Sequence, residues 1–172
     1  LFGKRVYVSL NQFTHTNQVM PKKNISHHEM EYHLKVISYM YPEFTEFVQI
    51  GSSVEGREIY ALKVGKGEKE ILMDASMHAR EHMTTNVLLE MIDTYTYHYV
   101  KGSKFSSYNV RSVLNNVSIW FVPMMNPDAV TLVQSKANAT AATKKMNNGS
   151  TNYNRWKANA RGVDLNRNFS VG

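Results

Sequence analysis

Between Val117 and Met125 the chain is almost unbroken apolar sequence, closed abruptly by Asn126-Pro127-Asp128. A run without polar alternation reads as a central strand covered on both faces, which points to a layered α/β sheet. The segments around it fit that plan. Ser26 followed by Glu29 forms a capping-box pattern, and Met30, Leu34, Ile37 and Tyr41 recur at helical spacing until Pro42. Thr45 to Ile50 and Glu58 to Val64 are β-rich and predict a hairpin across the long loop Gly51 to Arg57. Glu70 to Met77, with Ile71-Leu72-Met73 and Ala75, reads as a buried strand. Met83 to Tyr99 reads as a long helix with Val87, Leu88, Met91, Ile92 and Tyr95 on one face. Residues 134–152 lack apolar periodicity and are expected to form an exposed loop, and Gly162 to Phe169 begins like another strand. Ahead of all this, residues 1–25 read as an irregular arm with one strand-like stretch, Val6-Tyr7-Val8, leaving 26–172 as a single domain.

Composition narrows the chemistry. With 172 residues and 42% hydrophobic content the chain can bury a core without disulfides. It has no cysteine, which excludes thiol nucleophiles and thiolate metal sites, so a metal would have to be held by His, Asp or Glu. No apolar run reaches about 18 residues, and Leu1 to Leu10 is interrupted by Lys4 and Arg5, so neither a membrane span nor an intact signal peptide is expected. The net charge of +6 is spread along the chain rather than gathered into a stripe interleaved with aromatics. That distribution argues against nucleic acid as a partner and leaves a field favouring anionic substrates.

His78-Ala79-Arg80-Glu81 follows a predicted strand, and ligands of open α/β sheets bind beyond the carboxyl ends of strands. An imidazole and a carboxylate three positions apart can meet one ion across a tight turn. The letters also fit H-x-x-E-H through His82, which would place two histidines on one helical face. For these residues alone an ordinary helix start, with Glu81 in the first turn, is the simpler reading.

Taken with Asn126-Pro127-Asp128, Gly162-Val163-Asp164-Leu165-Asn166-Arg167-Asn168-Phe169 and Ile50 to Arg57, however, this segment resembles the zinc metallocarboxypeptidases, the carboxypeptidase A-like peptidases. The likeness runs from about residue 26 to residue 172. It implies an α/β fold, here a partial mixed open sheet flanked by helices, the amino-terminal portion of a metallocarboxypeptidase-like fold. By the same resemblance His78 and Glu81 are zinc ligands, and Asp164 bonds the ring of that histidine. Asn166 and Arg167 take the substrate's terminal carboxylate, for which a guanidinium fork is suited. Arg80 lines the substrate groove. Family members often carry an arginine after the tryptophan that precedes this segment; here Lys157 follows Trp156, so Lys157 or Arg161 is the candidate oxyanion donor.

The family's third ligand, a histidine, and its general-base glutamate come from a region beyond Arg167, so the chain alone is expected to show little or no peptidase activity. A sheet lacking later strands is expected to expose an edge through which the chain could self-associate. The wording around Trp156 to Phe169 is similar to bacterial members, among them cell-wall peptidases, which implies a peptide or cell-wall peptide substrate and a secreted or cell-wall-associated location. The competing reading is a non-catalytic module that binds peptides or carboxylates with an incomplete metal site.

Overall fold

Ser26 opens the first helix as its spacing predicts: its hydroxyl accepts from the Glu29 N–H, and the Glu29 carboxylate takes the Ser26 N–H in return. The structure, a computed structural model, describes residues 24–170, so the strand-like Val6-Tyr7-Val8 lies outside the described residues. Helix α1 spans His27–Met40 and buries Met30, Leu34, Val36 and Ile37. Strands β1 (Thr45–Ser52) and β2 (Glu58–Val64) form the expected antiparallel hairpin. Strand β3 (Lys69–Asp74) leads through a short turn into α2 (Met83–Lys101). After the two-residue strands β4 (Lys104–Phe105) and β5 (Tyr108–Asn109) come α3 (Val110–Asn116), β6 (Val117–Val122) and α4 (Pro127–Ser135).

The main sheet has four strands in the order β1-β2-β6-β3. Strand β2 is antiparallel to β6, whereas β3 is parallel to it, so the sheet is mixed. The apolar run is therefore central, as its composition requires. Leu62, Phe121 and Met73 share one row across the sheet, and Val64, Ile119 and Ile71 share the next. Leu62, Val64, Ile119 and Phe121 of these rows, with Met73 against them, share a core with Leu34 and Ile37 of α1 and Leu89 and Ile92 of α2. A separate cluster of Ala79, Ala129, Leu132, Tyr153 and Trp156 ties α4 to the segment after β3.

Four expectations need correction. Strand β3 is an edge strand, not a buried one: Ile71 is 45% and Leu72 64% exposed, because its other side has no neighbour among the described residues. The buried face of α2 differs from the expected one in part: Leu88 and Ile92 are buried and Met91 and Tyr95 pack against the core, but Val87 is exposed, and Thr85, Leu89, Thr96 and Tyr99 also face inward. Residues 134–152 are not all loop, since Thr140 caps a further helix, α5 (Ala141–Met146), through a reciprocal hydroxyl pairing with Thr143. Gly162 to Phe169 forms a turn and a 3-10 segment, Leu165–Arg167, instead of a strand. Side chains of Asn159 and Asp164 take up its backbone N–H groups locally, which removes the need for a sheet partner.

The β2–β3 connection is held by close backbone approach. The Lys66 N–H donates to the Leu114 carbonyl at 2.7 Å and the Ser118 hydroxyl to the Gly67 carbonyl at 2.7 Å. A Cβ on Gly67 would collide with the Asn116–Val117 peptide, so only glycine fits there.

One buried group works against the fold. Asp93 is 7% exposed on α2, and its Oδ2 has no hydrogen-bond partner among the described residues. Burial, with the nearby Glu90 charge, pushes its carboxyl up to about 7. A folded-state value above the unfolded one means that the folded chain binds the extra proton, so stability falls as pH rises from about 4 to about 7. Replacing Asp93 by Asn is expected to flatten that fall and raise stability at pH 8 by about 2 kcal/mol, read from urea denaturation at a series of pH values.

Candidate functional site

The site is assembled just past the carboxyl end of β3. The Ala75 N–H still donates to the Val122 carbonyl at 3.0 Å, and the Met125 N–H reaches the Ala75 carbonyl at 2.9 Å. Ser76 then turns the chain with φ +53, a left-handed conformation costing a β-carbon residue on the order of 1 kcal/mol. Hydroxyls hold it there. The Ser76 N–H donates to Thr84 Oγ1 at 2.9 Å, Ser76 Oγ lies 2.7 Å from Thr85 Oγ1, and Thr85 Oγ1 donates to the Pro123 carbonyl at 2.6 Å.

Ala79–Glu81 follows as a single 3-10 turn, closed by the Glu81 N–H on the His78 carbonyl at 3.0 Å. Three residues per turn places positions i and i+3 on one side. His78 Nδ1 consequently faces Glu81 Oε2 at 3.1 Å, while His78 Nε2 faces Asp164 Oδ1 at 3.0 Å. The ring is well covered, with 13% of its side-chain surface exposed, whereas Glu81 stands open at 47%. His82 does not join them: it lies at the start of α2, with Nδ1 buried and unbonded among the described residues. Burial lowers its pKa and favours the neutral ring. The helical H-x-x-E-H alternative is thereby set aside, because residues 79–81 are not α-helical.

Asp164 is brought from far along the chain by the Asn159–Val163 turn. The Asn159 carboxamide oxygen accepts from the Arg161 N–H at 2.9 Å and the Val163 N–H at 3.0 Å. Asp164 Oδ1 also accepts from the Asn166 N–H at 3.0 Å. The His78 ring bonded to it holds the Asp164 carboxyl below the ordinary carboxylate range, with the Asn166 N–H and the Arg167 charge adding to the effect.

The remaining expected residues are placed less uniformly. Arg80 is exposed beside Glu81, with Nε 3.7 Å from Oε1. Asn166 and Arg167 lie in the exposed 3-10 turn directly after Asp164, and Arg167 Nη1 donates to the Asn166 carbonyl at 3.3 Å. Lys157 meets the His78 segment through its carbonyl, which accepts the Ala79 N–H at 3.2 Å. Arg161 sits exposed in the 159–163 turn. No described hydrogen bond or ion pair links the side chain of either to His78 or Glu81.

Sequence reasoning assigned no role to Arg57, Asp128 and Asn126, although it singled out their motifs. Asp128 is 1% exposed and its carboxylate is fully engaged. Arg57 Nη1 donates to it at 2.7 Å, Ser53 Oγ at 2.7 Å and the Glu55 N–H at 2.9 Å. Hydrogen bonds to Asp128 and Glu55 raise the Arg57 pKa against the opposing effect of burial. The β1–β2 loop is thus pinned to the start of α4. The available signal was the pair of motifs itself, an acid at a helix start and an arginine in a distant loop.

A family model described as zinc carboxypeptidase matches residues 30–172. The chain is 38% identical over 147 residues to an uncharacterized protein, YqgT, of Bacillus subtilis, covering 81% of this chain and 39% of that protein. It is 32% identical over 152 residues to gamma-D-glutamyl-L-diamino acid endopeptidase 1 of Lysinibacillus sphaericus, covering 86% of this chain and 38% of that protein. Its fold superposes on the crystal structure of thrombin activatable fibrinolysis inhibitor with a TM-score of 0.69 at 23% identity, covering 96% of this chain and 41% of that one. The chain belongs to the zinc carboxypeptidase family, and it spans about two fifths of the length of these relatives.

The donor chemistry fits the metal that the family name implies. Two ligand atoms on one tetrahedral zinc lie about 3.3 Å apart, close to the 3.1 Å between His78 Nδ1 and Glu81 Oε2. Among the described residues no group of three or more His, Asp or Glu side chains gathers for a metal.

Truncating Arg57 would leave the Asp128 carboxylate buried without its cation. Arg57→Ala is expected to destabilise the chain by about 3 kcal/mol in urea denaturation at pH 7. Arg57→Lys should recover much of this, because a single nitrogen, Nη1, bonds both Asp128 and Glu55, and an ammonium can donate to two carboxylates.

Proposed function

We propose that this chain is part of a zinc-dependent peptidase that hydrolyses a peptide bond near a free carboxyl terminus. The observation that carries the reading is the division of the His78 ring, with Nδ1 turned to Glu81 and Nε2 held by Asp164. His78 and Glu81 would hold the zinc. When bound, zinc polarises the scissile carbonyl and lowers the pKa of a coordinated water toward about 7. Asp164 accepts the Nε2 proton, keeping the Nδ1 lone pair directed at the ligand position and strengthening it as a donor.

Arg167, with Asn166, binds the substrate's terminal carboxylate, and Arg80 flanks the groove on the Glu81 side. Lys157 or Arg161 supplies positive charge to the carbonyl oxygen as negative charge develops there. Proton transfer by a general base requires a further carboxylate, so the 172-residue chain alone is proposed to be nearly inactive. A peptide or cell-wall peptide substrate, in keeping with the name of the gamma-D-glutamyl-L-diamino acid endopeptidase among the relatives, and a secreted or cell-wall-associated location are part of this proposal. The exposed Ile71 and Leu72 on the β3 edge support self-association of the isolated chain.

Calorimetric titration of the chain with zinc tests the reading. Weak one-to-one binding is expected, lost in both His78→Ala and Glu81→Ala, and a short free-acid peptide should bind less well to Arg167→Ala. Zinc binding that survives both ligand replacements would overturn it, and peptide binding indifferent to zinc and to both replacements would favour a non-catalytic carboxylate-binding module. In sedimentation experiments Leu72→Lys should reduce self-association; an unchanged distribution would exclude the β3 edge as the surface.

A further inference from the structure

Asn126 stands where a helix N-cap stands, immediately before Pro127 at the first position of α4. An N-cap asparagine ordinarily accepts a hydrogen bond from the second or third N–H of its helix. Asn126 makes no such bond. Its side chain is turned the other way, and the residue is 3% exposed. Nδ2 donates to the Met77 carbonyl at 3.0 Å and to the Lys157 carbonyl at 3.4 Å. One carboxamide thereby bridges the residue just before His78 and the segment that leads to Asp164.

The two segments have only short direct contacts of their own: the Ala79 N–H on the Lys157 carbonyl at 3.2 Å and the Arg80 N–H on the Trp156 carbonyl at 2.9 Å. Asn126 closes the same junction from the buried side. Its own backbone is fixed, because its carbonyl accepts the Val130 N–H of α4 at 3.0 Å and Asp128 two residues on is anchored by Arg57. A misplacement of about half an ångström or more between these segments would stretch the 3.0 Å contact from His78 Nε2 to Asp164 out of the usual hydrogen-bond range.

We infer that Asn126 is a positioning residue for the metal-facing histidine, its carboxamide diverted from capping α4 to setting the distance between His78 and Asp164. The inference rests on reading His78 and Glu81 as the ligand pair, yet it concerns the metal-free chain and can be tested without zinc or turnover.

Nuclear magnetic resonance of the chain provides the test. In the unaltered protein, the amide protons of Asn126 should show cross-relaxation to protons of Met77 and of residues 157–158, and His78 should show a downfield, solvent-protected Hε2 signal bonded to Asp164. That signal exists whether the ring is neutral at Nδ1 or fully protonated. Asn126→Asp keeps the size but turns an oxygen toward two carbonyl oxygens; Asn126→Ala removes the bridge without the repulsion. In either variant that still melts cooperatively, the Hε2 signal should vanish into solvent exchange, and zinc affinity should fall on the order of tenfold. A signal unchanged in a folded variant would overturn the inference while leaving the ligand pair intact. Missing cross-relaxation in the unaltered protein would overturn it without any variant, and an unprotected His78 ring there would count against the ligand reading as well.

Discussion

The site depends on one imidazole being shared between two carboxylates. His78 turns Nε2 toward Asp164 and Nδ1 toward Glu81; with its Nε2 proton held by Asp164, the ring would be left with Nδ1 as the nitrogen able to donate to a metal. A histidine without the first partner can rotate or change tautomer, and its second nitrogen then has no fixed address. Most of what surrounds the ring serves this division. The 3-10 turn sets the spacing to Glu81, and the Asn159–Val163 turn delivers Asp164 across 86 positions of sequence.

Rigid elements support the arrangement at both ends. On one side Ser76 accepts a strained backbone conformation, secured by hydroxyls of Thr84 and Thr85 and through Thr85 by the Pro123 carbonyl. On the other, the buried Asp128 gathers Ser53, Glu55 and Arg57 and so fixes the start of α4 against the β1–β2 loop. A buried ion pair of this kind is weak evidence for stability by itself, since desolvation offsets much of the attraction. Its value here is geometric: it holds two distant pieces of chain at a defined separation beside the site. The strain at Ser76 and the diverted cap at Asn126 are local costs of the sort that collect around functional centres.

Much of this was legible in the sequence. The capping box at Ser26, the β1–β2 hairpin and the centrality of Val117 to Val122 followed from patterning alone, because each is set by nearby residues. Strand β3 misled because Ile71-Leu72-Met73 carries the composition of a covered strand while the described sheet leaves it at the edge. Gly162 to Phe169 misled for the opposite reason: its alternating letters resemble a strand, but Asn159 and Asp164 satisfy the backbone from within the segment. The His78–Glu81 pair was ambiguous from its own letters, and motif order supplied the resemblance that raised it above a helix start. The motifs holding Arg57, Asp128 and Asn126 stood out, but their roles did not, because they arise from contacts between segments far apart in sequence. The side chains of Lys157 and Arg161 depend on the same kind of information, and Lys157 turns out to engage the site through its carbonyl.

The central claim is that His78 Nδ1 and the Glu81 carboxylate share one ion while Asp164 holds the opposite face of the ring. Anomalous diffraction at the zinc edge from crystals of this chain grown with zinc tests it most directly. A single peak about 2.0 to 2.2 Å from both His78 Nδ1 and a Glu81 oxygen, with His78 Nε2 still bonded to Asp164, is the predicted result. Zinc found on His82, or bound to His78 through Nε2 with Asp164 displaced, would contradict it.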